Sequence, residues 1–375
     1  THLNNLEDAL KAFKSSFKKN SQNHEALLQV GNLYKDLKKF DFALDAYRKH
    51  QKLFPNNTHG FYTEGVLKLR QKKFKIGWKL YEFGLKTKGR NPANGFYYER
   101  KTLWDGKPFN GTLLVYGEQG LGDQIIFGTI LPELLERQEN VILKVNKKLL
   151  PFFEYNFQNI SVFSEEEIIP ENEYEKYIAI GSLGKFFRNE ISDFENSKFK
   201  KFFVPKISNS FKNVFSNSKP TIGLSWHSVN DKTGRNRSLT CQETATIINK
   251  SDCNFLNLQY GNIEHQLRKI QKITGKKLKN IPEVDLTNDI TSISNLILKC
   301  DIVLTIDNTL AHLSSSLGKE TWILLPSSAD FRWFEKINKS PWYPSAFLFR
   351  QSSDRNWNKT IEEILNKIND YKKEK

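Results

Sequence analysis

The chain has 375 residues, of which 38% are hydrophobic and 13% are aromatic. This length is enough for about two to three domains, which excludes a peptide hormone or a disulfide-stapled miniprotein. No stretch approaches the roughly 18 to 20 apolar residues of a membrane helix, so we expect no transmembrane segment.

The cysteine pattern bears on metal binding and on the cellular compartment. Cys241, Cys253 and Cys300 form no Cys-x-x-Cys pair and have no histidine at ligand spacing. This argues against a zinc site and against the disulfide framework of a secreted protein. We therefore expect a reducing cytoplasm, no metal and no bound cofactor.

The formal net charge of +15 is concentrated near the amino terminus, where residues 1–92 carry +11 and the rest of the chain carries +4. Such a region attracts an acidic partner or an anionic surface, and the alternative is an ordinary solvated face. We expect no nucleic-acid ligand. Because the chain begins at Thr1 and contains no methionine, we expect residues to be missing before Thr1.

A repeat with a period of about 34 residues covers the first 92 positions. In the middle copy, small residues, aromatic residues and a proline stand at tetratricopeptide spacing: Gly31, Tyr34, Ala43, Tyr47 and Pro55. The equivalents one period later are Gly65, Gly77 and Tyr81, and one period earlier they are Ala9 and Phe13. The pattern predicts tetratricopeptide helix pairs, with Thr1 midway through a repeat and the segment KGRNP (88–92) ending the third.

From residue 112 onward, short apolar runs alternate with helical stretches, as in parallel βαβ units. Strands are expected at 113–117, 141–146, 160–163, 177–183, 221–226, 255–261, 301–307 and 321–326, with helices at 123–137 and 148–157. The predicted fold class is α + α/β. Its parts are the repeats (1–92), a linker (93–111), a first Rossmann-like domain (112–205), a second (206–350) and a closing helix (351–375).

The first candidate loop, GEQGLGDQ (117–124), leaves a strand and opens a helix. Ligands bind beyond the carboxyl ends of parallel strands, and a helix N-terminus favours negative charge. Ile125 stands where a dinucleotide fingerprint needs its third glycine, and no Gly-Lys-Ser/Thr follows as in a P-loop. Asp123 is the candidate general base, with a helix cap as the alternative. The acceptor-side residues of this loop are Glu118, Gln119, Gly120 and Gly122.

Three further strand-end loops are candidates for donor binding, and in one of them, 259–261, an amide and an aromatic ring could hold a base or a sugar. The loop 226–239 offers cations that suit a diphosphate, with a solvated loop as the alternative. The segment 306–318 opens a helix whose terminal amides favour phosphate, although a single histidine there is more often structural. The candidate donor-binding residues are His227, Lys232, Arg235, Arg237, Gln259, Tyr260, Asp307, Asn308, Thr309 and His312.

These motifs resemble the bacterial tetratricopeptide proteins that carry a heptosyltransferase-like region of glycosyltransferase family 9, and more distantly the O-GlcNAc transferases. The likeness rests on GWKLYE (77–82), LWDGKPFNG (103–111), GEQGLGDQIIF (117–127), IGLSW (222–226), LQYG (258–261), DLTNDI (285–290), TIDNTLAHLSSSLGK (305–319), DFRWF (330–334) and SPWYP (340–344). It implies a GT-B architecture, in which two Rossmann-like domains face each other across a cleft without a bound metal.

The resemblance also implies roles for the candidate residues. Asp123 matches the base, and the 232–237 cations and the Asp307–His312 turn match the donor diphosphate site. Gln259 and Tyr260 match positions near the nucleotide. The acceptor is expected on the first domain and the nucleotide-sugar on the second.

The function expected from the sequence is a metal-independent hexosyl- or heptosyltransferase that uses a nucleotide-sugar donor, in the cytoplasm or at the inner membrane surface. The repeats would recruit the acceptor, a protein, polysaccharide or glycolipid, or a protein partner. Deleting residues 1–92 is then expected to spare donor binding. The alternative is a scaffold whose repeats bind a protein segment and whose transferase region is inactive.

Overall fold

The computed structural model describes residues 2–87, 90, 101–207, 215, 217–229 and 234–374. Within this part, the amino-terminal helices are α1 (His2–Lys19), α2 (His24–Asp36), α3 (Phe40–Leu53), α4 (His59–Arg70) and α5 (Phe74–Tyr81), followed by a 3-10 helix (Glu82–Lys86). Each helix packs against the next. Most of the predicted third-repeat end, KGRNP (88–92), lies outside the described residues.

Small residues at the repeat positions allow the helices to approach closely. A Cβ added at Gly31 of α2 would lie 2.4 Å from the Tyr47 ring of α3, and one at Gly65 of α4 would lie 2.7 Å from the Tyr81 backbone nitrogen. Ala43 and Tyr47 are fully buried, and Tyr47 Oη donates a hydrogen bond to Asn32 Oδ1 over 2.9 Å. The residues that define the sequence repeat are thus helix-packing residues.

The first sheet lies between residues 102 and 179 of the described chain. Its five strands are β1 (Thr102–Leu103), β2 (Leu113–Tyr116), β3 (Val141–Val145), β4 (Ser161–Ser164) and β5 (Lys176–Ala179), in the parallel order β1-β5-β2-β3-β4. The helices that go with them are α6 (Leu121–Gly128), α7 (Leu131–Arg137), α8 (Leu150–Asn156), α9 (Gly184–Phe187) and α10 (Ser192–Glu195).

The second sheet is also parallel, with five strands among the described residues after 217. They are β6 (Thr221–Leu224), β7 (Asn254–Asn257), β8 (Ile302–Ile306), β9 (Thr321–Leu325) and β10 (Ala346–Arg350), in the order β10-β9-β8-β6-β7. The helices are α11 (Gly234–Arg237), α12 (Cys241–Lys250), α13 (Glu264–Thr274), α14 (Ile290–Lys299), α15 (Thr309–Ser316) and α16 (Asn358–Glu374). Every residue of β8 and β9 is buried, as in strands covered on both faces.

The order of each sheet reverses at one point. In the first sheet the reversal lies between β5 and β2, and in the second it lies between β8 and β6. Ligands of open parallel sheets bind at the carboxyl ends of strands beside such a reversal. The loops after β2, β6 and β8, which carry most of the candidate residues, are therefore in the expected places.

Several elements differ from the expectation. The predicted helix 123–137 is two helices, because α6 ends at Gly128 and α7 begins a new turn with Pro132 in its first positions. The strand β1 lies inside the predicted linker and pairs with β5. The strand β10 was not predicted; it pairs with β9 along five residues.

One hydrophobic core joins parts of the chain that the sequence suggested to be separate. Trp78 of α5 and Phe127 of α6 belong to the same buried cluster as Leu296 of α14 and Trp333 beyond β9. The indole nitrogen of Trp78 donates a hydrogen bond to the Arg188 carbonyl oxygen over 2.6 Å. The helices α4 and α5 are thus packed into the body that carries the sheets.

Candidate functional site

The first loop of the site follows β2 and leads into α6. Gly120 is the N-cap of α6, and its N–H donates a hydrogen bond to Asp123 Oδ2 over 3.0 Å. Asp123 therefore caps its own helix. A carboxylate in the first turn of a helix is favourable, because the free N–H groups there carry partial positive charge. Its other oxygen, Oδ1, forms a close ion pair with the guanidinium of Arg332. Both oxygens of the candidate base have partners.

The electrostatic setting of Asp123 combines opposing effects. Burial raises its pKa, and the charge of Arg332 acts in the opposite direction without cancelling the rise. A carboxylate with a raised pKa holds a proton more readily than an exposed aspartate. This property suits a general base in contact with an acceptor hydroxyl.

Arg332 lies in a short 3-10 helix, Phe331–Trp333, beyond β9. Asp330 Oδ1 accepts hydrogen bonds from the Arg332 backbone N–H at 3.1 Å and from its Nη1 at 2.6 Å. Arg332 Nη2 donates to Gln119 Oε1 over 3.3 Å. Arg332 thus connects the loop beyond β9 to the loop beyond β2. Sequence reasoning gave it no role, although its motif DFRWF (330–334) was a signal for the site.

The predicted acceptor-side residues Glu118 and Gln119 make internal contacts. Gln119 has a left-handed backbone, with φ at +64°, and its Nε2 donates to Tyr81 Oη over 2.8 Å. Glu118 is buried and pairs with the Arg90 guanidinium at 2.9 Å. These two side chains hold the loop beyond β2 against Tyr81 at the end of α5 and against Arg90.

His312 in α15 forms a second contact between the loop beyond β2 and the second sheet's side of the site. It is buried, its ring stacks on Trp333 with centroids 4.8 Å apart, and its Nδ1 lies 3.3 Å from Tyr343 Oη. A Cβ added at Gly122 would lie 2.7 Å from His312 Cδ2, so the first loop packs directly on this ring. Burial lowers the pKa of His312 to about 3, with Arg332 acting in the same direction. The ring is therefore neutral at pH 7.

The loop beyond β6 is held by the end of β7. Gln259 is buried, and its Oε1 accepts hydrogen bonds from Ser225 Oγ at 3.0 Å and from the backbone N–H groups of Trp226 and His227 at 3.0 and 2.8 Å. Its Nε2 donates to the Tyr260 carbonyl over 3.0 Å. The Gln259 amide thus fixes the conformation of the loop beyond β6 through hydrogen bonds within the protein. Burial lowers the pKa of His227 and raises that of Tyr260.

The turn beyond β8 carries the carboxylate Asp307. Its Oδ1 accepts a hydrogen bond from Trp333 Nε1 over 2.8 Å, and its Oδ2 lies 4.0 Å from Arg237 Nη1. Burial raises the pKa of Asp307 to about 6, and the nearby charge of Asp330 adds to the rise. Asn308 caps α15 and also donates to Ser225 Oγ over 3.1 Å, so its amide is used internally. Thr309 is the first residue of that helix and is partly exposed.

A cavity of about 490 Å³ lies at the carboxyl ends of the second sheet. Of the candidate donor residues, Arg235, Arg237 and Asp307 line it. Its other lining residues come from the segment between α11 and the start of α12, from the segments after β9 and β10 and, unexpectedly, from α2 and α4. Its volume falls in the range of about 300 to 1,000 Å³ that is typical of small-molecule sites.

The ten candidate donor residues fall into three groups: three line the cavity, six lie outside its lining and one lies outside the described residues. Asp123 reaches the cavity's edge through Arg332, which pairs with Asp330 in the cavity wall. Six of the ten candidate donor residues lie outside the cavity lining: His227, Gln259, Tyr260, Asn308, Thr309 and His312. Lys232 lies outside the described residues.

Two further observations concern metals and membranes. In the described part of the chain, no group of three or more histidine, cysteine, aspartate or glutamate side chains is placed to hold a metal ion. No described helix is both long and apolar enough to cross a membrane. The three cysteines are unpaired.

Comparison with known proteins gives one curated relative. No family model matches the chain. Protein FlbA of Caulobacter vibrioides is 24% identical over 290 residues, which cover 72% of this chain and 48% of that protein. The chain thus spans about half the length of this relative.

The chain is also similar to solved structures of glycosyltransferases. A glycosyl transferase family 9 structure from Veillonella parvula aligns at 10% identity and a TM-score of 0.45, over 70% of this chain and 92% of that one. E. coli ADP-heptose LPS heptosyltransferase II aligns at 13% identity and 0.45, over 69% and 97%. An O-GlcNAc transferase from Thermobaculum terrenum aligns at 10% identity and 0.33, over 97% and 88%. At TM-scores of 0.45 or lower, these similarities do not by themselves decide the activity of this chain.

Proposed function

We propose that the chain is a glycosyltransferase of GT-B-like arrangement that moves a sugar from a nucleotide-sugar to a hydroxyl acceptor. The observation that carries the proposal is the Asp123–Arg332–Asp330 chain of ion pairs, which joins the candidate base of the first sheet to the cavity of the second. A base beside a cation-lined cavity is what transfer from a phosphate leaving group requires.

In the proposed reaction, Asp123 accepts the proton of the acceptor hydroxyl while that oxygen forms a bond to the sugar's anomeric carbon. The bond from this carbon to the donor phosphate breaks, and the nucleoside diphosphate leaves with the electron pair. Arg235 and Arg237, which line the cavity, stabilise its negative charge. No strand-end loop in the sequence contains Asp-x-Asp, so we propose that the reaction is metal-independent.

The remaining parts of the proposal concern the whole chain. We propose that α1–α5 are tetratricopeptide repeats, since Gly31, Ala43, Tyr47 and Gly65 pack between helices as that repeat requires. They would recruit a protein, polysaccharide or glycolipid acceptor in the cytoplasm. The domain boundaries near residues 92, 111, 205 and 350 belong to the same proposal.

The first test is a ligand screen followed by an assay of transfer. The thermal unfolding of the protein is measured with UDP, GDP, ADP, dTDP and CMP, each with and without EDTA, because binding at about 100 times Kd adds about 2.7 kcal/mol to stability. Donor hydrolysis and transfer are then measured for the wild type and for Asp123→Asn. We expect binding that EDTA leaves unchanged, and a turnover lower by about 10²- to 10⁴-fold in the variant, with nucleotide binding retained.

The matched control is Asp289→Asn, since Asp289 also caps a helix, by accepting a hydrogen bond from the Ser292 N–H over 2.9 Å. This control should behave as the wild type, because asparagine caps about as well as aspartate. Turnover of Asp123→Asn within a few-fold of wild type would reduce Asp123 to a helix cap. Loss of binding in EDTA would contradict a metal-independent reaction.

A second candidate function is a scaffold without turnover. The observation in its favour is that both Asp123 oxygens already have protein partners, Gly120 and Arg332. On this alternative the cation-lined cavity binds a nucleotide without transfer. A wild type that binds a nucleoside diphosphate yet neither hydrolyses nor transfers from any nucleotide-sugar would favour the scaffold.

A further inference from the structure

The wall of the cavity opposite the second sheet is formed by the helical repeats. Lys35 and Asp36 at the end of α2, and Val66 and Arg70 on α4, are lining residues. The sequence predicted that the repeats would recruit the acceptor or a protein partner and that donor binding would not need them. In the structure they enclose the space that Arg235 and Arg237 share with Asp307.

Hydrogen bonds fix the repeats against this side of the second sheet. Ser328, just beyond β9, donates from Oγ to Asp36 Oδ1 over 2.9 Å and accepts from Arg70 Nη1 over 3.0 Å. Arg70 is 2% exposed and donates from Nε to Glu335 Oε1 over 2.5 Å. The wall is therefore built on a buried pair, and its distance from the sheet is set by the fold.

Arg355, which lines the cavity, has an unusual backbone conformation. Its φ is +63°, in the left-handed region that a residue with a Cβ seldom adopts, and Gln351 Nε2 donates to its carbonyl over 2.7 Å. Its Nη2 donates to the Asp36 carbonyl over 3.1 Å. An arginine has five N–H donors, so this contact leaves others to face the cavity that Arg355 lines.

The acidic and basic side chains that line the cavity differ in whether they already have hydrogen-bond or ion-pair partners within the protein. The lining acids Asp36, Asp307, Asp330 and Glu243 accept hydrogen bonds from Ser328, Trp333, Arg332 and the Thr240 backbone N–H respectively. Among the cations, Lys35 has a carboxylate partner only at 3.9 Å, and Arg237 Nε is buried without a hydrogen-bond partner. Arg235 is exposed and has no ion pair with the described residues. The donors left over are cationic, so the ligand that complements them is an anion.

We propose that the donor's diphosphate binds between the repeats and the second sheet, with Lys35 and Arg355 joining Arg235 and Arg237 as its ligands. This inference rests on the proposed function, because it takes the anion to be the diphosphate of a nucleotide-sugar. It adds that the repeats are part of the donor site. Shortening or removing them would then weaken nucleotide binding as well as acceptor recruitment.

The test measures the Kd of the nucleoside diphosphate that binds the wild type, by calorimetry in EDTA, for Lys35→Ala and Arg355→Ala. The matched control is Lys52→Ala, which removes the same charge from an exposed position of α3 outside the cavity lining. Both cavity variants should raise Kd by about tenfold or more, the scale of a charge-assisted hydrogen bond, and the control by less than about twofold. Melting temperatures without ligand confirm that all three variants fold.

The outcomes separate this inference from the proposed function. A wild type that binds nucleoside diphosphates, with both cavity variants within about twofold of it, would exclude the repeats from the donor site and leave the proposed function standing. A wild type that binds none of the five nucleotides would refute both. If one cavity variant lost affinity and the other did not, the proposed contact between the unaffected residue and the diphosphate would be refuted.

Discussion

Asp123 is a half-buried carboxylate and Asp307 is a buried one, and the two lie on neighbouring loops in different settings. Asp123 is paired with a guanidinium at close range, whereas the nearest guanidinium nitrogen to Asp307 is 4.0 Å away. The pKa of Asp307 is raised to about 6, mainly by burial and then by Asp330. The charge of the Asp307 carboxylate is therefore expected to change near pH 6.

The raised pKa of Asp307 predicts a pH dependence of stability. Because the folded state holds this proton more tightly than the unfolded chain does, the contribution is fully present below the unfolded pKa of 3.8 and is lost as the pH rises through about 6. Relative to Asp307→Asn, the free energy of unfolding of the wild type should fall by on the order of 2 kcal/mol between pH 4 and 7.

The measurement is denaturant unfolding of both proteins across this pH range. Asparagine keeps the oxygen that accepts the Trp333 indole hydrogen bond, so the comparison isolates the proton. The exposed cap variant Asp289→Asn should follow the wild-type curve. Parallel curves for the wild type and Asp307→Asn would show that Asp307 is ionised throughout the range.

At the level of single residues, sequence reasoning found the loops more reliably than the partners within them. Asp307 directly follows β8, and Asp123 and Arg237 lie in the first helices after β2 and β6, so all three are at the candidate site beside the reversals of the two sheets. Arg332 was not assigned, since its contact with Asp123 joins positions far apart in the chain. Gln259 and Asn308 were predicted as ligands, but buried amides form hydrogen bonds wherever the fold offers them, here within the protein.

At the level of elements, α6 and α15 meet at a contact that only glycine permits. A Cβ at Gly122 would lie 2.7 Å from His312, whereas a Cβ at Gly120, two residues earlier, would lie 3.3 Å from the Asp123 carboxylate and near nothing else. Since His312 is stacked on Trp333, its ring cannot move aside easily. The contact therefore controls how closely the two loops approach.

This contact predicts different results for two neighbouring alanine substitutions. Gly122→Ala should destabilise the protein by about 1 to 3 kcal/mol through overpacking and should lower turnover, because Asp123 is displaced relative to Arg332 and the cavity edge. Gly120→Ala should cost less than about 1 kcal/mol, since its φ of −90° suits any residue. Urea unfolding and turnover of the two variants provide the measurement. Equal effects would mean that the loop moves freely over α15.

Strong periodic signals in the sequence predicted elements well, and short elements were missed. The buried strands β8 and β9 were expected nearly at their observed bounds, because a run of apolar residues bounded by polar turns leaves little choice. The two-residue β1 has no pattern of its own and depends on pairing with β5. The break between α6 and α7 was hidden by a continuous apolar face, although Pro132 marks the start of the second helix.

At the level of the whole molecule, the largest hydrophobic cluster of the described residues includes α5, while smaller clusters lie within α1–α4 and on the second sheet. Trp78 of α5 is 2% exposed and lies in the same cluster as residues of both sheets. A core shared in this way couples the unfolding of the parts that contribute to it. We therefore expect the repeats and the sheets to unfold together.

The prediction is that far-ultraviolet circular dichroism and tryptophan fluorescence report one coincident transition, which Trp78→Ala shifts as a whole by about 3 to 5 kcal/mol. The control is Phe42→Ala, since Phe42 is 58% exposed on α3. Its effect should stay near 0.5 kcal/mol, as for most surface substitutions. An early transition confined to helix content would show that the repeats unfold by themselves.

The shared core also determines where this chain can be recombined with other repeat arrays. A hybrid joined after α5 would lose Trp78, Arg70 and Lys35 together, and with them part of the cavity wall. A joint at the turn of residues 20–23, ahead of α2, keeps all three, because α1 packs against α2 and the body lies beyond it. Repeats stack on nearest neighbours, so a longer array could be grafted there as an extension. For an engineer, the exchangeable module is therefore shorter than the repeat pattern suggests.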